Sequence, residues 1–274
     1  MLKKLLITCL LALMLCSWQL EARTIYFYNP GSNINDFRSL KRLFNRYLSA
    51  TIRGRNRFQP FKNKALFERF MKKRRKRNDV FLLSSWHYQN LSKKRAFRKF
   101  KPVFVGTINS NPTYTKVLTT KKNIRSIKKL RRKRIASAGN RNYSKKTVQF
   151  IGAQKGLSRR TPFRILTVPK DIDALMSVLF GMAQGALTSR ESLNTFARIN
   201  KRKYRKLRQH GESKAIMLPV VVAYQPIYKK STKRLLSAIQ KMPSSSKGRE
   251  VLGLLGWNGW KKVTKTEMQL LKVK

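Results

Sequence analysis

The chain has 274 residues, 41% hydrophobic and 10% aromatic, enough to bury a core and too many for a solvated, disordered tail. Its 64 Lys and Arg against 10 Asp and Glu give a formal charge of +54, which draws it towards polyanions, nucleic acid and anionic membrane surfaces. Both cysteines, Cys9 and Cys16, fall within the first 22 residues, so the rest of the chain excludes cysteine nucleophiles, iron-sulfur clusters and thiolate zinc sites.

Residues 1–22 have the plan of a signal peptide. Lys3 and Lys4 form a basic start, Leu5 to Trp18 is apolar, and Leu20-Glu21-Ala22 ends in the small residue that a cleavage site needs. Cleavage after Ala22 and a periplasmic destination are the expectation, with an uncleaved anchor as the alternative. A chain that lacks cysteine after that point suits an oxidising compartment.

Thr24-Ile25-Tyr26-Phe27-Tyr28 is a β-branched and aromatic run stopped by Asn29-Pro30-Gly31, which predicts a first strand and a turn. Apolar residues at helical spacing predict helices over 36–49 and through 65–71, followed by a buried strand at 79–83. Strands are expected at 102–106, 114–118, 134–137, 164–168, 185–188 and 216–224. Helices are expected at 143–152, 171–181, 191–199, 231–242 and 246–255. This alternation predicts an α/β fold with mostly parallel sheets flanked by helices. Basic runs at 72–77, 128–134 and 201–208 sit in connections, where a solvated surface competes with a polyanion footprint as their explanation.

Catalytic arrangements are missing. Asp171 and Asp173 follow Pro169 in the first turn of a helix, which suits capping and compensation of the helix dipole. Paired carboxylates facing one bond, a serine beside a base, a phosphate-binding glycine loop and a histidine-rich metal motif cannot be assembled from these spacings. No catalytic residue, metal or cofactor is expected, and the chain is not read as an enzyme.

An ordered series of short segments runs from Arg132 onward. It comprises Lys133-Arg134-Ile135-Ala136, Asp171-Ile172-Asp173-Ala174-Leu175 with Val178-Leu179-Phe180-Gly181, Gly185-Ala186-Leu187-Thr188 and Pro219-Val220-Val221-Val222. Met242-Pro243-Ser244-Ser245-Ser246 and Gly248-Arg249-Glu250-Val251-Leu252 then precede Gly256-Trp257. In this series the chain resembles the phosphate, phosphite and phosphonate group of periplasmic substrate-binding proteins, the receptors of ABC importers. It departs from that group where usual acidic positions are Lys, Arg or neutral.

The resemblance implies a two-lobed, type II periplasmic-binding-protein-like fold with a cleft between the lobes at the carboxyl ends of the strands. Lobe 1 would hold residues 23–106 plus 210–274, and lobe 2 residues 107–209. It further implies a small oxyanion held by hydroxyls and by backbone N–H groups at a helix start. Matching positions are Ser137, Asn142, Tyr143 and Ser144, although Asn142 or Ser144 could equally be a plain helix cap. From the first lobe Tyr28, Asn29, Ser84, Ser85, Trp86 and His87 would face the cleft, with Trp86 alternatively a core residue. His87 is read as a polar contact, because His210 is the one other histidine and no carboxylate lies near in sequence. Thr188 and Ser189 offer hydroxyls where amino-phosphonate binders often offer a carboxylate, so phosphate, phosphite or a simple phosphonate is the expected ligand. Implied partners are an ABC permease or, alternatively, a membrane-bound sensor, and the protein is expected to be a monomer. A polyanion-binding protein on the same fold is the rival reading.

Overall fold

The computed structural model describes residues 23–29, 37–73, 79–227 and 230–271. The expected signal peptide, the turn residues Pro30 and Gly31, the helix start at Asp36 and most of the basic run after Lys73 lie outside them.

In chain order the first elements are β1 (Arg23–Tyr28), α1 (Phe37–Thr51), β2 (Asn56–Pro60), α2 (Lys64–Lys73), β3 (Val80–Leu83), α3 (Ser85–Ser92) and β4 (Phe100–Thr107). There follow β5 (Thr113–Tyr114), β6 (Lys116–Lys121), β7 (Arg134–Ala138), α4 (Arg141–Ala153), β8 (Arg164–Val168), α5 (Asp171–Leu179) and β9 (Gly185–Ser189). The chain continues through α6 (Arg190–Ile199), α7 (Lys201–Tyr204), β10 (Leu207–Glu212), β11 (Ile216–Met217) and β12 (Val220–Tyr224). It closes with α8 (Lys230–Lys241), α9 (Ser246–Leu255), β13 (Gly259–Lys262) and α10 (Lys265–Leu270).

Two sheets organise these elements. Six strands pair in the order β13-β4-β12-β3-β1-β2, and five in the order β10-β6-β9-β7-β8. The parallel pairing predicted by strand-helix alternation holds for β2-β1-β3 and for β8-β7-β9. The other pairings are antiparallel, since β4, β6, β10 and β12 carry the chain out of one sheet and back again rather than through crossover helices. Both sheets are therefore mixed. A two-stranded ribbon, β5 with β11, lies on this passage between them.

Aromatic packing holds the first sheet between its helices. Along β1 the side chains alternate: Tyr26 stacks on Phe81 with ring centroids 5.3 Å apart, and Phe27 meets Phe58, itself stacked on Phe44 of α1 at 4.1 Å. Helix α1 buries Leu40, Phe44, Tyr47 and Leu48 at helical spacing. The Tyr47 hydroxyl donates to the Ala238 carbonyl at 2.5 Å, fastening α1 to α8. The second sheet is smaller and aliphatic. Helices α5 and α6 cover one face over Ala136, Leu175, Val178 and Phe196; α4 covers the other with Val148 and Ile151 over Ile135 and Leu187. Among the described residues no helix is long and apolar enough to cross a membrane.

Several elements depart from the sequence expectation. Ser84 to Tyr88, expected as a loop, opens α3: the Ser84 side chain accepts from the His87 amide and caps the helix. The strand expected over 216–224 is broken at Leu218-Pro219, because proline brings no N–H to a ladder. The basic run at 201–208, expected as a connection, holds α7 and the first two residues of β10, an edge strand, where cations are tolerated on the solvent side.

Candidate functional site

Four strands deliver four helix N-termini to one place. β3, β7, β8 and β9 run straight into α3, α4, α5 and α6, each starting at the carboxyl end of its sheet. The turn after β7 needs Gly139, whose φ of 98° is closed to most side chains. Asn140 then caps α4, its side-chain oxygen accepting from the amides of Asn142 and Tyr143. Ser189 caps α6 by accepting from the Ser192 amide. Partial positive charge from exposed amides and helix dipoles accumulates where these starts converge.

They surround a cleft of about 610 Å³. One wall carries Asn29, Ser84, Ser85 and Trp86, and the facing wall carries Asn140, Tyr143, Ser144 and Ser189. Trp86 and Tyr143 meet across it with ring centroids 5.8 Å apart. The floor is Ile216 to Pro219 and the end of α9, where Gly256 at φ 77° turns the chain and Trp257 folds back to bond the Leu252 carbonyl at 3.0 Å.

A buried ion pair sits in the facing wall. Lys116, the first residue of β6, places Nζ 2.7 Å from Asp171 Oδ1, and both side chains are almost shielded from solvent. The other Asp171 oxygen accepts from the Ser189 amide at 2.8 Å. Asp173, rather than Asp171, does the capping expected of that pair, accepting from the Lys170 amide at 2.9 Å. Next to them Tyr114 and Tyr143 share a hydrogen bond. Burial, reinforced by the Asp171 charge, pushes the Tyr114 phenol well up, and burial followed by Tyr114 does the same to Tyr143. Both stay neutral donors. At the rim the Arg190 guanidinium bonds Glu212 and holds that carboxyl below its ordinary range.

Of the residues expected at the site, Asn29, Ser84, Ser85, Trp86, Tyr143, Ser144 and Ser189 line the cleft. Tyr28, His87, Ser137, Asn142 and Thr188 do not. Tyr28 is buried against Phe67 and the edge of His87. His87 is buried too, with Nε2 2.9 Å from Glu68 Oε1, a carboxylate nineteen residues away that sequence proximity could not reveal. Ser137 lies beneath the wall, its hydroxyl 2.9 Å from that of Ser144. Asn142 points to solvent because α4 begins at Arg141, which makes Asn140 the cap instead of Asn142 or Ser144. Thr188 is fully buried, on the opposite strand face from the cleft residues Leu187 and Ser189. Lys116 and Tyr114 escaped the sequence reading: a lysine in a chain so rich in lysine carries no contrast. Among the described residues no group of three His, Cys, Asp or Glu could hold a metal ion.

No curated protein sequence matches this one. The fold is similar to a binding protein component of an ABC phosphonate transporter from Pseudomonas aeruginosa, with a TM-score of 0.62 and 13% identity over 91% of this chain and 86% of that one. It is equally similar to a Prochlorococcus marinus protein in complex with methylphosphonate, with a TM-score of 0.62 and 13% identity over 93% and 100% of the two chains. The periplasmic aliphatic sulphonate binding protein of Escherichia coli follows at 0.55 and 12% identity over 92% and 89%. These likenesses establish the two-lobed type II periplasmic-binding-protein fold. The family model described as ABC transporter, phosphonate, periplasmic substrate-binding protein matches residues 30–268, and the chain belongs to that family of solute-binding proteins.

Proposed function

We propose that this protein captures a small oxyanion carrying no obligatory amine, such as phosphate, phosphite or a simple phosphonate, and presents it to an ABC permease. The observation that carries the reading is the convergence of four helix N-termini and the hydroxyls of Ser84, Tyr143 and Ser144 on one cleft. Amides and neutral hydroxyls at helix starts favour compact anions without needing a free cation. The buried carboxylate of the wall already has its charge met by Lys116 and accepts from the Ser189 amide, which weakens its pull on a ligand ammonium. Glu191, the other carboxylate at the cleft, stands exposed at the rim.

In this reading residues 1–22 are removed after Ala22, the two lobes are 23–106 plus 210–274 and 107–209, and the exported protein works as a monomer. Isothermal titration with phosphate, phosphite, methylphosphonate and 2-aminoethylphosphonate tests it. Binding of one of the first three, at least as tight as the aminated compound, is the expected result. Strong selection for 2-aminoethylphosphonate would overturn the choice of ligand, and silence toward all four would overturn the oxyanion role.

A further inference from the structure

The second sheet has an end remote from the cleft, and that end is built differently. β7, β8 and β9 start there with Arg134, Arg164 and Gly185, while β6 finishes there with Lys121 opposite Leu207. The acidic residues between 107 and 213 are Asp171, Asp173, Glu191 and Glu212, and every one lies at the cleft end, in the first turns of α5 and α6 or at the last position of β10. The far end carries cations alone. The Lys122 amide bonds the Lys206 carbonyl at 2.8 Å and the Arg134 amide bonds the Gln184 side chain, which draws the flanking loops into one surface.

Large apolar side chains stand among these cations. Phe180 is 69% exposed, Ile199 67% and Met182 55%. Phe180 and Met182 follow the end of α5 and Ile199 ends α6, two helices that pack on the same face of the sheet. A Cβ placed on Gly181, between Phe180 and Met182, would lie 4.0 Å from the Lys121 ammonium, and Ile199 is followed, after Asn200, by Lys201, Arg202 and Lys203 of exposed α7. Exposed apolar groups inside a basic field, on an otherwise soluble surface, mark an interaction site.

We propose that this far end docks on an anionic phospholipid bilayer, with Phe180, Met182 and Ile199 entering the interface and the surrounding lysines and arginines meeting the head groups. Cations alone would fit nucleic acid as well, but phosphate backbones give Ile199 and Met182 nothing apolar to bury, whereas the head-group boundary does. The cleft, roughly 17 Å away along the six residues of β6, stays clear of such a surface.

Sedimentation with vesicles of phosphatidylglycerol and phosphatidylcholine tests this, with phosphatidylcholine alone as the neutral surface and identical N-termini in every protein. Phe180→Ser/Met182→Ser/Ile199→Ser is expected to lower partitioning about tenfold at a salt concentration that screens simple attraction. Lys201→Gln/Arg202→Gln/Lys203→Gln is expected to lower it on the order of a hundredfold at low salt. Lys41→Gln/Arg42→Gln/Arg46→Gln, which removes equal charge from the exposed face of α1, is expected to cost less than about threefold. All nine positions are exposed, and circular dichroism confirms folding. The proposal falls if the serine variant partitions like the parent, if both charge variants lose equally, or if duplex DNA is preferred over the vesicles at the same salt. None of these outcomes touches the ligand titrations.

Discussion

Lys116 and Lys121 are the two ends of one strand, and the same residue type does opposite things at them. At the cleft, Lys116 is buried and joined to Asp171 at 2.7 Å, inside a wall where Ser189, Tyr114 and Tyr143 are also engaged. Five residues on, Lys121 stands beside Gly181 and the exposed Phe180 and Met182, where the sequence supplies no carboxylate. The difference teaches that the charge of this chain is sorted by position. Between residues 107 and 213 every acidic group stands at the cleft end, and the far end of the sheet is left basic.

The contrast can be broken most forcefully at Lys116. Lys116→Met leaves Asp171 buried without its counter-charge and is expected to cost about 3 kcal/mol in denaturant unfolding. Lys116→Met/Asp171→Asn should recover most of that loss, and a single variant within about 1 kcal/mol of the parent would show that the pair holds nothing. Next in size is Tyr143→Ala/Ser144→Ala. A bound oxyanion at a hundredfold excess over its Kd stabilises the parent by about 2.7 kcal/mol, and the double variant should lose that increment in a thermal-shift assay read against its own unliganded melting.

A smaller effect comes from pH. Burial holds the His87 imidazole below its ordinary range, so the folded protein resists a proton that the unfolded chain accepts. Stability is therefore full above the ordinary histidine value of about 6.5 and declines as pH falls below it. His87→Gln should flatten part of that decline in chemical denaturation between pH 7 and 5, the rest belonging to His210, which burial shifts the same way. The smallest effect is expected at the far end of the strand. Lys121→Met should change stability by less than about 0.5 kcal/mol, and a larger loss would mean that this end, too, is held by paired charge.

Patterns that repeat along the chain were legible in the sequence. The apolar spacing of Leu40, Phe44, Tyr47 and Leu48 marked α1, and the short runs ending at Leu83, Ser137 and Thr188 marked the strands that lead to the cleft, to within one residue of their ends. What escaped depended on chain reversal or on contacts distant in sequence. Strand β10 was hidden by its polar run Arg208-Gln209-His210-Gly211-Glu212, and β13, with Lys261 and Lys262, is likewise an edge strand, paired with β4. The α4 start was placed too late because Asn140 and Arg141 carry no apolar signal. At the site, hydroxyl and aromatic residues at strand ends were good markers, which is why Ser84, Trp86, Tyr143 and Ser189 lie on the cleft. They failed where burial decides direction: strand alternation turned Thr188 into the core, and Glu68 drew His87 inward.

The ribbon between the sheets pairs no more than Thr113 with Met217 and Tyr114 with Ile216. So brief a joint confines any swing of one half against the other to a few backbone torsions, in the manner of a hinge, and such swings run on microsecond to millisecond timescales. Tyr114 belongs to that joint and to the cleft wall at once. Losing its contact with Tyr143 would therefore loosen the wall and the articulation together.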